Sequence, residues 1–89
     1  MIEREVAITN KLGLHARASA KLVQTLQSFQ CNAWIVHRGR EINAKSIMGV
    51  MMLAAGVGST ITLRTDGENE AAALEAMVDL FNRKFEEGA

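Results

Sequence analysis

Residues 13–19 read Gly-Leu-His-Ala-Arg-Ala-Ser and set His15 at the entrance of a helix, two residues ahead of Arg17. A histidine there faces backbone N–H groups that have no intrahelical acceptor, at the positive end of the helix dipole. Those surroundings disfavour a protonated ring, and a neutral imidazole is a nucleophile. The same N–H groups bind an oxyanion once it arrives. Arg17 adds a fixed charge and paired donors for phosphate oxygens. Together the parts suit a histidine that accepts and surrenders a phosphoryl group. The alternative is a surface histidine at a helix start beside a solvated arginine, and spacing alone favours that plainer reading.

Ser46 is the second candidate. A serine at that place satisfies a donor of the helix start, as an N-cap does. Glu or Gln at position 49 would complete a capping box, but Gly49 stands there. The functional alternative is regulatory phosphorylation, which adds about −1.5 to −2 of charge and spoils docking on an acidic partner. The physics of the position favours the cap. Ile47, Met48, Met51 and Met52 follow on the same short helix. One short helix cannot bury them all, so the group should split between the core and an exposed, adaptable docking patch.

Other features carry less. His37 alternates with its hairpin neighbours and reads as structural or surface. Gly56-Val57-Gly58 follows a helix and precedes a strand, the reverse of a dinucleotide-binding turn. It reads as a helix stop. No pair of carboxylates has the setting of an acid/base dyad. One tryptophan and three phenylalanines make a poor base-stacking surface.

These residues need a scaffold. Ile2, Val6 and Ile8 alternate along a first strand, interrupted by Arg4, and residues 10–13 form a loop. From Ala16 the period becomes helical, through Leu22, Val23, Leu26 and Phe29, predicting a helix to about residue 28. Residues 32–44 read as a hairpin turning at Arg38-Gly39, with Trp34 and Val36 on one face and Ala33 and Ile35 on the other. A short helix capped by Ser46 should end at Gly56. A strand over 59–65 with Ile61 and Leu63 inward, and a turn at Asp66-Gly67, lead to a last helix over 69–85. Its buried stripe would be Leu74, Met77, Val78, Phe81 and Phe85. The order is β-α-β-β-α-β-α, an α+β fold with an antiparallel sheet covered on one face.

The chain has 89 residues, enough for one domain over 1–89. Ten acidic and ten basic side chains cancel, which argues against nucleic acid or anionic lipid as partner. Residues 1–45 nevertheless hold seven basic residues against three acidic, and residues 46–89 hold three against seven. That asymmetry predicts solvated faces for most of these side chains, or an electropositive patch around Lys11, Arg17, Lys21 and Lys45. Cys31 is the only cysteine, so no internal disulfide or multi-cysteine zinc site can form and a reducing compartment is expected. The charged opening residues do not suit a signal peptide, and the apolar stretch 47–57 is too short to span a bilayer. A cytoplasmic protein is expected.

Residues 13–19 taken with Ala-Lys-Ser-Ile-Met-Gly-Val-Met-Met-Leu-Ala-Ala-Gly-Val-Gly-Ser-Thr-Ile over 44–61 resemble the HPr family. These are the histidine-containing phosphocarriers of the bacterial phosphoenolpyruvate-dependent phosphotransferase system. The resemblance covers essentially the whole chain. It implies an open-faced β-sandwich, a four-stranded antiparallel sheet with three helices on one side. It implies that His15 takes phosphate from phosphorylated enzyme I, through Nδ1, and passes it to enzyme II A components. Arg17 matches the active-centre arginine. Ser46 matches the regulatory serine on which an HPr kinase/phosphorylase acts in bacteria that have one. Ala16, Arg17, Ala20, Ile47, Met48 and Met51 match the docking surface. No cofactor or metal is implied, and a carrier presenting one face to several proteins is expected to be a monomer.

One position departs from the pattern. Many members carry proline where this chain has Ala18, and proline suits a first helical turn. Alanine there leaves the unfolded chain looser, at about 0.4–1 kcal/mol. Other readings are a nitrogen-branch paralogue with the same chemistry, a regulatory adaptor read only through Ser46, and an acylphosphatase-like enzyme. The stretch around Ser46 looks more like the sugar branch, His15 with Arg17 argues against the adaptor, and an acylphosphatase would not need His15.

Overall fold

Strand β1 (Ile2–Ala7) and strand β2 (Asn32–His37) both pair antiparallel with β4 (Thr60–Asp66), and β3 (Arg40–Asn43) pairs with β2. The sheet order is therefore β1-β4-β2-β3. In this computed structural model residues 1–86 are described. Three helices, α1 (Ala16–Leu26), α2 (Ile47–Met52) and α3 (Glu70–Asn82), cover one face, and a 3₁₀ turn follows at Lys84–Glu86.

Alternation decides which side of each strand meets the helices. Ala33 and Ile35 are buried while Trp34 and Val36 are half-exposed, and in β4 Ile61, Leu63 and Thr65 point inward. Onto that face α1 brings Leu22 and Leu26, α2 brings Val50, and α3 brings Ala73, Leu74, Met77, Leu80 and Phe81. Leu80 joins this stripe, and Val78 packs at its edge, half-buried. Arg4 shares the inward side of β1 but sits at the sheet edge, where it reaches Glu75 of α3 at 3.6 Å. On the open face Arg64 bridges three strands, pairing with Glu3 at 2.6 Å and with Glu41.

The hairpin turns at Arg38 and Gly39 as expected, with φ of 51° and 79°. Two-residue hairpin loops need positive φ at both centres to match the strand twist. The helix ends differ from expectation. Helix α1 stops at Leu26, two residues early. Helix α2 stops at Met52, because Ala54 and not Gly56 takes the left-handed conformation that ends it, at φ 53°. Helix α3 stops at Asn82, and Lys84, Phe85 and Glu86 all have positive φ. That left-handed turn folds Phe85 back into the core, edge-on to Phe81 with ring centroids 4.8 Å apart.

Candidate functional site

The loop ahead of α1 is built around Asn10. Its side chain is buried and Nδ2 donates to the Gly13 carbonyl at 2.8 Å, while the Gly13 N–H donates to the Asn10 carbonyl at 3.1 Å. Gly13 has φ +64°, and a Cβ there would lie 2.7 Å from the Ala55 carbonyl oxygen and 2.8 Å from Gly56 Cα. Only glycine fits such a turn pressed against another backbone. Leu14 is buried and its N–H donates to the Ala55 carbonyl at 3.1 Å. The loop after α2 thus holds the loop that delivers His15.

His15 is the N-cap residue of α1, extended at φ −80° and ψ −178°. Its carbonyl accepts the first helical bond, from Ser19 N–H at 2.9 Å, and its side chain makes no capping bond. The helical ladder gives the N–H groups of Ala16, Arg17 and Ala18 no acceptor of their own. Ala18 and Ser19 face inward, and the Ser19 hydroxyl donates back to the Leu14 carbonyl at 3.3 Å. Ala16 and Arg17 consequently face solvent, with Ala20 half-buried. The Arg17 guanidinium makes no ion pair or side-chain hydrogen bond among the described residues.

Two of the four cations of the suggested electropositive patch, Lys21 and Lys45, are tied to backbone carbonyls. Lys21 Nζ donates to the Phe85 carbonyl at 2.6 Å and lies 3.9 Å from Glu86, so it fastens α1 to the chain's last turn. Lys45 Nζ donates to the Phe29 carbonyl at 2.6 Å and fastens the connection after α1. Both ammonium groups serve backbone carbonyls, as lysines near a helix end do. Lys11 and Arg17 remain exposed.

Ser46 caps α2: its hydroxyl accepts from the Gly49 N–H at 3.1 Å, and its own backbone is extended. A Cβ at position 49 would sit 3.3 Å from Ser46 Oγ, so glycine lets the cap close tightly. The expected split of Ile47, Met48, Met51 and Met52 between core and surface does not occur: all four are exposed, because their neighbours fill the buried side. Val50 and Leu53 are the buried side of this segment, while Met48 is 71% exposed, Met52 60%, and Ile47 and Met51 41% each. Leu12 and Val57 are also exposed, from the two loops that meet at Gly13 and Gly56. Exposed apolar side chains therefore lie on α2 and on the two loops that meet just ahead of His15. Leu12, Val57, Asn10 and Ser19 were not singled out in the sequence. An asparagine three residues ahead of a glycine was the available sign for Asn10, and apolar residues beside loop glycines were the sign for the other two loop positions.

His37 keeps its place on β2 facing the helices, half-buried, with Nδ1 enclosed and without a hydrogen-bond partner. Cys31 is a buried thiol. Among the described residues no group of three or more His, Cys, Asp or Glu side chains could hold a metal ion, and no helix is long and apolar enough to cross a membrane.

Known proteins share this arrangement. Residues 2–83 match the family model for the PTS HPr component phosphorylation site. The phosphocarrier protein HPr of Xylella fastidiosa (strain Temecula1) is 58% identical over 87 residues, covering 98% of each chain. The crystal structure of HPr-C-His from Thermoanaerobacter tengcongensis superposes with a TM-score of 0.94 at 42% identity, covering 98% of each chain. A crystal structure of an HPr dimer from the same organism superposes at 0.76, also at 42% identity, over 96% of this chain and 98% of that one. The chain belongs to the HPr family of phosphocarrier proteins of the phosphotransferase system.

Proposed function

We propose that His15 is the atom-level carrier: it takes a phosphoryl group from phosphorylated enzyme I and gives it to enzyme II A components. The observation that carries this is the placement of His15 at the α1 N-terminus, two residues before the exposed guanidinium of Arg17. A ring nitrogen, Nδ1 in the family, attacks phosphorus in line, and the bond to the donor breaks as the P–N bond forms. Charge on the three non-bridging oxygens falls to the N–H groups of Ala16, Arg17 and Ala18 and to the Arg17 guanidinium. Phosphoryl transfer asks the protein for little beyond such positioning and charge stabilisation. The reverse step on a second partner uses the same groups.

Ala16, Ala20, Ile47, Met48 and Met51 serve as the docking face in this reading, supported by the exposed apolar side chains around α2. A shallow apolar surface suits several protein partners in succession better than a deep pocket does. Incubation with phosphoenolpyruvate and enzyme I should label the protein with acid-labile, base-stable phosphate. His15→Ala should take up none; label on that variant would place the acceptor elsewhere.

Ser46 is a second point of control in this proposal, as the substrate of an HPr kinase/phosphorylase. Support comes from its position at the head of the exposed α2 face. A phosphate there leaves the helix start intact but sets about −1.5 to −2 of charge on the docking surface. The carrier is further proposed to be one domain that works as a single copy in the cytoplasm.

A further inference from the structure

The protein has five methionines, and they divide sharply by exposure. Met77 is 0% exposed in the core. Met48, Met51 and Met52 crowd one six-residue helix and all face out. Met1, also exposed, lies just ahead of β1, away from that helix in the chain. The packing of α2 does not depend on its exposed thioethers: Val50 and Leu53 are its buried anchors, Ser46 caps its start, and Arg40 Nη1 reaches the Met52 carbonyl at 3.5 Å.

We propose that Met48, Met51 and Met52 are an oxidation site that switches off protein docking while leaving the fold intact. The oxidant class is a peroxide. A thioether sulfur lone pair attacks one peroxide oxygen and the O–O bond breaks. Sulfur keeps that oxygen and loses two electrons, and the other oxygen takes the released proton and leaves as water. Two thiols reverse the change, returning the two electrons and yielding a disulfide and water, as in thiol-dependent sulfoxide reductases. A sulfoxide turns a soft, adaptable apolar group into a polar acceptor. Pressed against an apolar partner surface, that acceptor loses its water and gains no donor. The functional half of the proposal rests on the docking reading above; the chemical half rests on exposure alone.

The test treats the whole protein with hydrogen peroxide and maps the sulfoxides by peptide mass. It then follows phosphoryl acceptance from phosphorylated enzyme I, always as the ratio of treated to untreated protein. Oxidation should reach Met48, Met51 and Met52 before Met77. Acceptance should slow about tenfold, the factor that about 1.4 kcal/mol of lost docking energy produces. The melting transition should stay two-state. A variant carrying Met48→Leu, Met51→Leu and Met52→Leu, whatever its starting rate, should show a ratio near one although Met1 still oxidises. A methionine sulfoxide reductase with dithiothreitol should restore the wild-type rate.

Three results would overturn the proposal: the three methionines stay reduced while Met1 oxidises, they oxidise without a change of rate, or the leucine variant slows equally. If untreated protein accepts no phosphate at all, the carrier reading fails and the switch with it, while the peptide map still decides whether the site is oxidised.

Discussion

The N–H of Leu14 donates to the carbonyl of Ala55 at 3.1 Å, joining the loop ahead of His15 to the loop behind α2. Gly13, one residue earlier, lies against the same carbonyl. Helix α2 and the candidate acceptor are thus mounted on one junction, although about 40 residues separate them in the chain. A change at the junction should therefore be felt at His15 even when neither His15 nor α2 is altered.

Gly13→Ala tests this. The new Cβ meets backbone atoms at 2.7 and 2.8 Å and requires φ +64° of an alanine. Urea denaturation should show a loss of about 2–4 kcal/mol from the left-handed strain and overpacking together. Phosphoryl acceptance by the fraction still folded should also slow. A normal rate would show that the junction holds the fold without setting His15.

Ala54→Gly should act in the opposite direction. Ala54 is exposed and left-handed at φ 53°, where an L side chain costs about 1–2 kcal/mol and glycine almost nothing. The freer unfolded chain takes back part of that, so the urea midpoint should rise by the equivalent of about 0.5–1 kcal/mol. An unchanged or lower midpoint would mean that the alanine methyl group makes contacts that outweigh the strain.

Periodic elements were legible in the residues, and their ends were not. Ala33 and Ile35 face inward and Trp34 and Val36 outward because alternation is a property of the strand itself. The stops of α2 and α3 depend on distant partners. Lys84, Phe85 and Glu86 accept positive φ where Phe85 meets Phe81 and Lys21 meets the Phe85 carbonyl, and nothing local announces that exchange. The candidate site divided in the same way. His15, Arg17 and Ser46 stand where a motif tied to a helix start puts them, since capping geometry is local. Asn10 and Ser19 act through bonds to Gly13 and Leu14 within the loop, a shape that residue types alone do not fix.

Lys21→Met separates the anchoring role of that lysine from a part in the electropositive patch. It keeps the aliphatic stem but loses the bond to the Phe85 carbonyl. Stability should fall by about 1.5–3 kcal/mol, the range for a hydrogen bond involving a charged group. The transfer rate of the folded protein should not move. A selective loss of rate would return Lys21 to the anion-binding surface.

Ser46 can be divided into its two proposed roles. Ser46→Ala removes the acceptor for the Gly49 N–H and should cost about 1 kcal/mol, read from the urea midpoint, with little effect on transfer. Ser46→Asp keeps a capping oxygen and adds a charge that the α2 N-terminus tolerates. Its stability should stay close to that of the wild type while acceptance from phosphorylated enzyme I weakens. Equal transfer rates for both variants would leave Ser46 as a cap alone.

Arg17→Ala removes the exposed guanidinium from the first turn of α1. Alanine favours a helix, and stability should change by less than about 0.5 kcal/mol, as for other surface substitutions. Transfer is a different matter. The three N–H groups of Ala16, Arg17 and Ala18 survive the change, so His15 should still be labelled. What disappears is the only full positive charge in that turn, and charge development on the phosphoryl oxygens should make the step about 100-fold slower. Arg17→Lys returns the charge without the two-pronged donor geometry and should recover only part of the rate. Rapid-quench measurement of both variants against phosphorylated enzyme I, beside their urea curves, decides the role. If alanine transfers as fast as arginine, the helix N–H groups suffice and Arg17 is a solvated side chain.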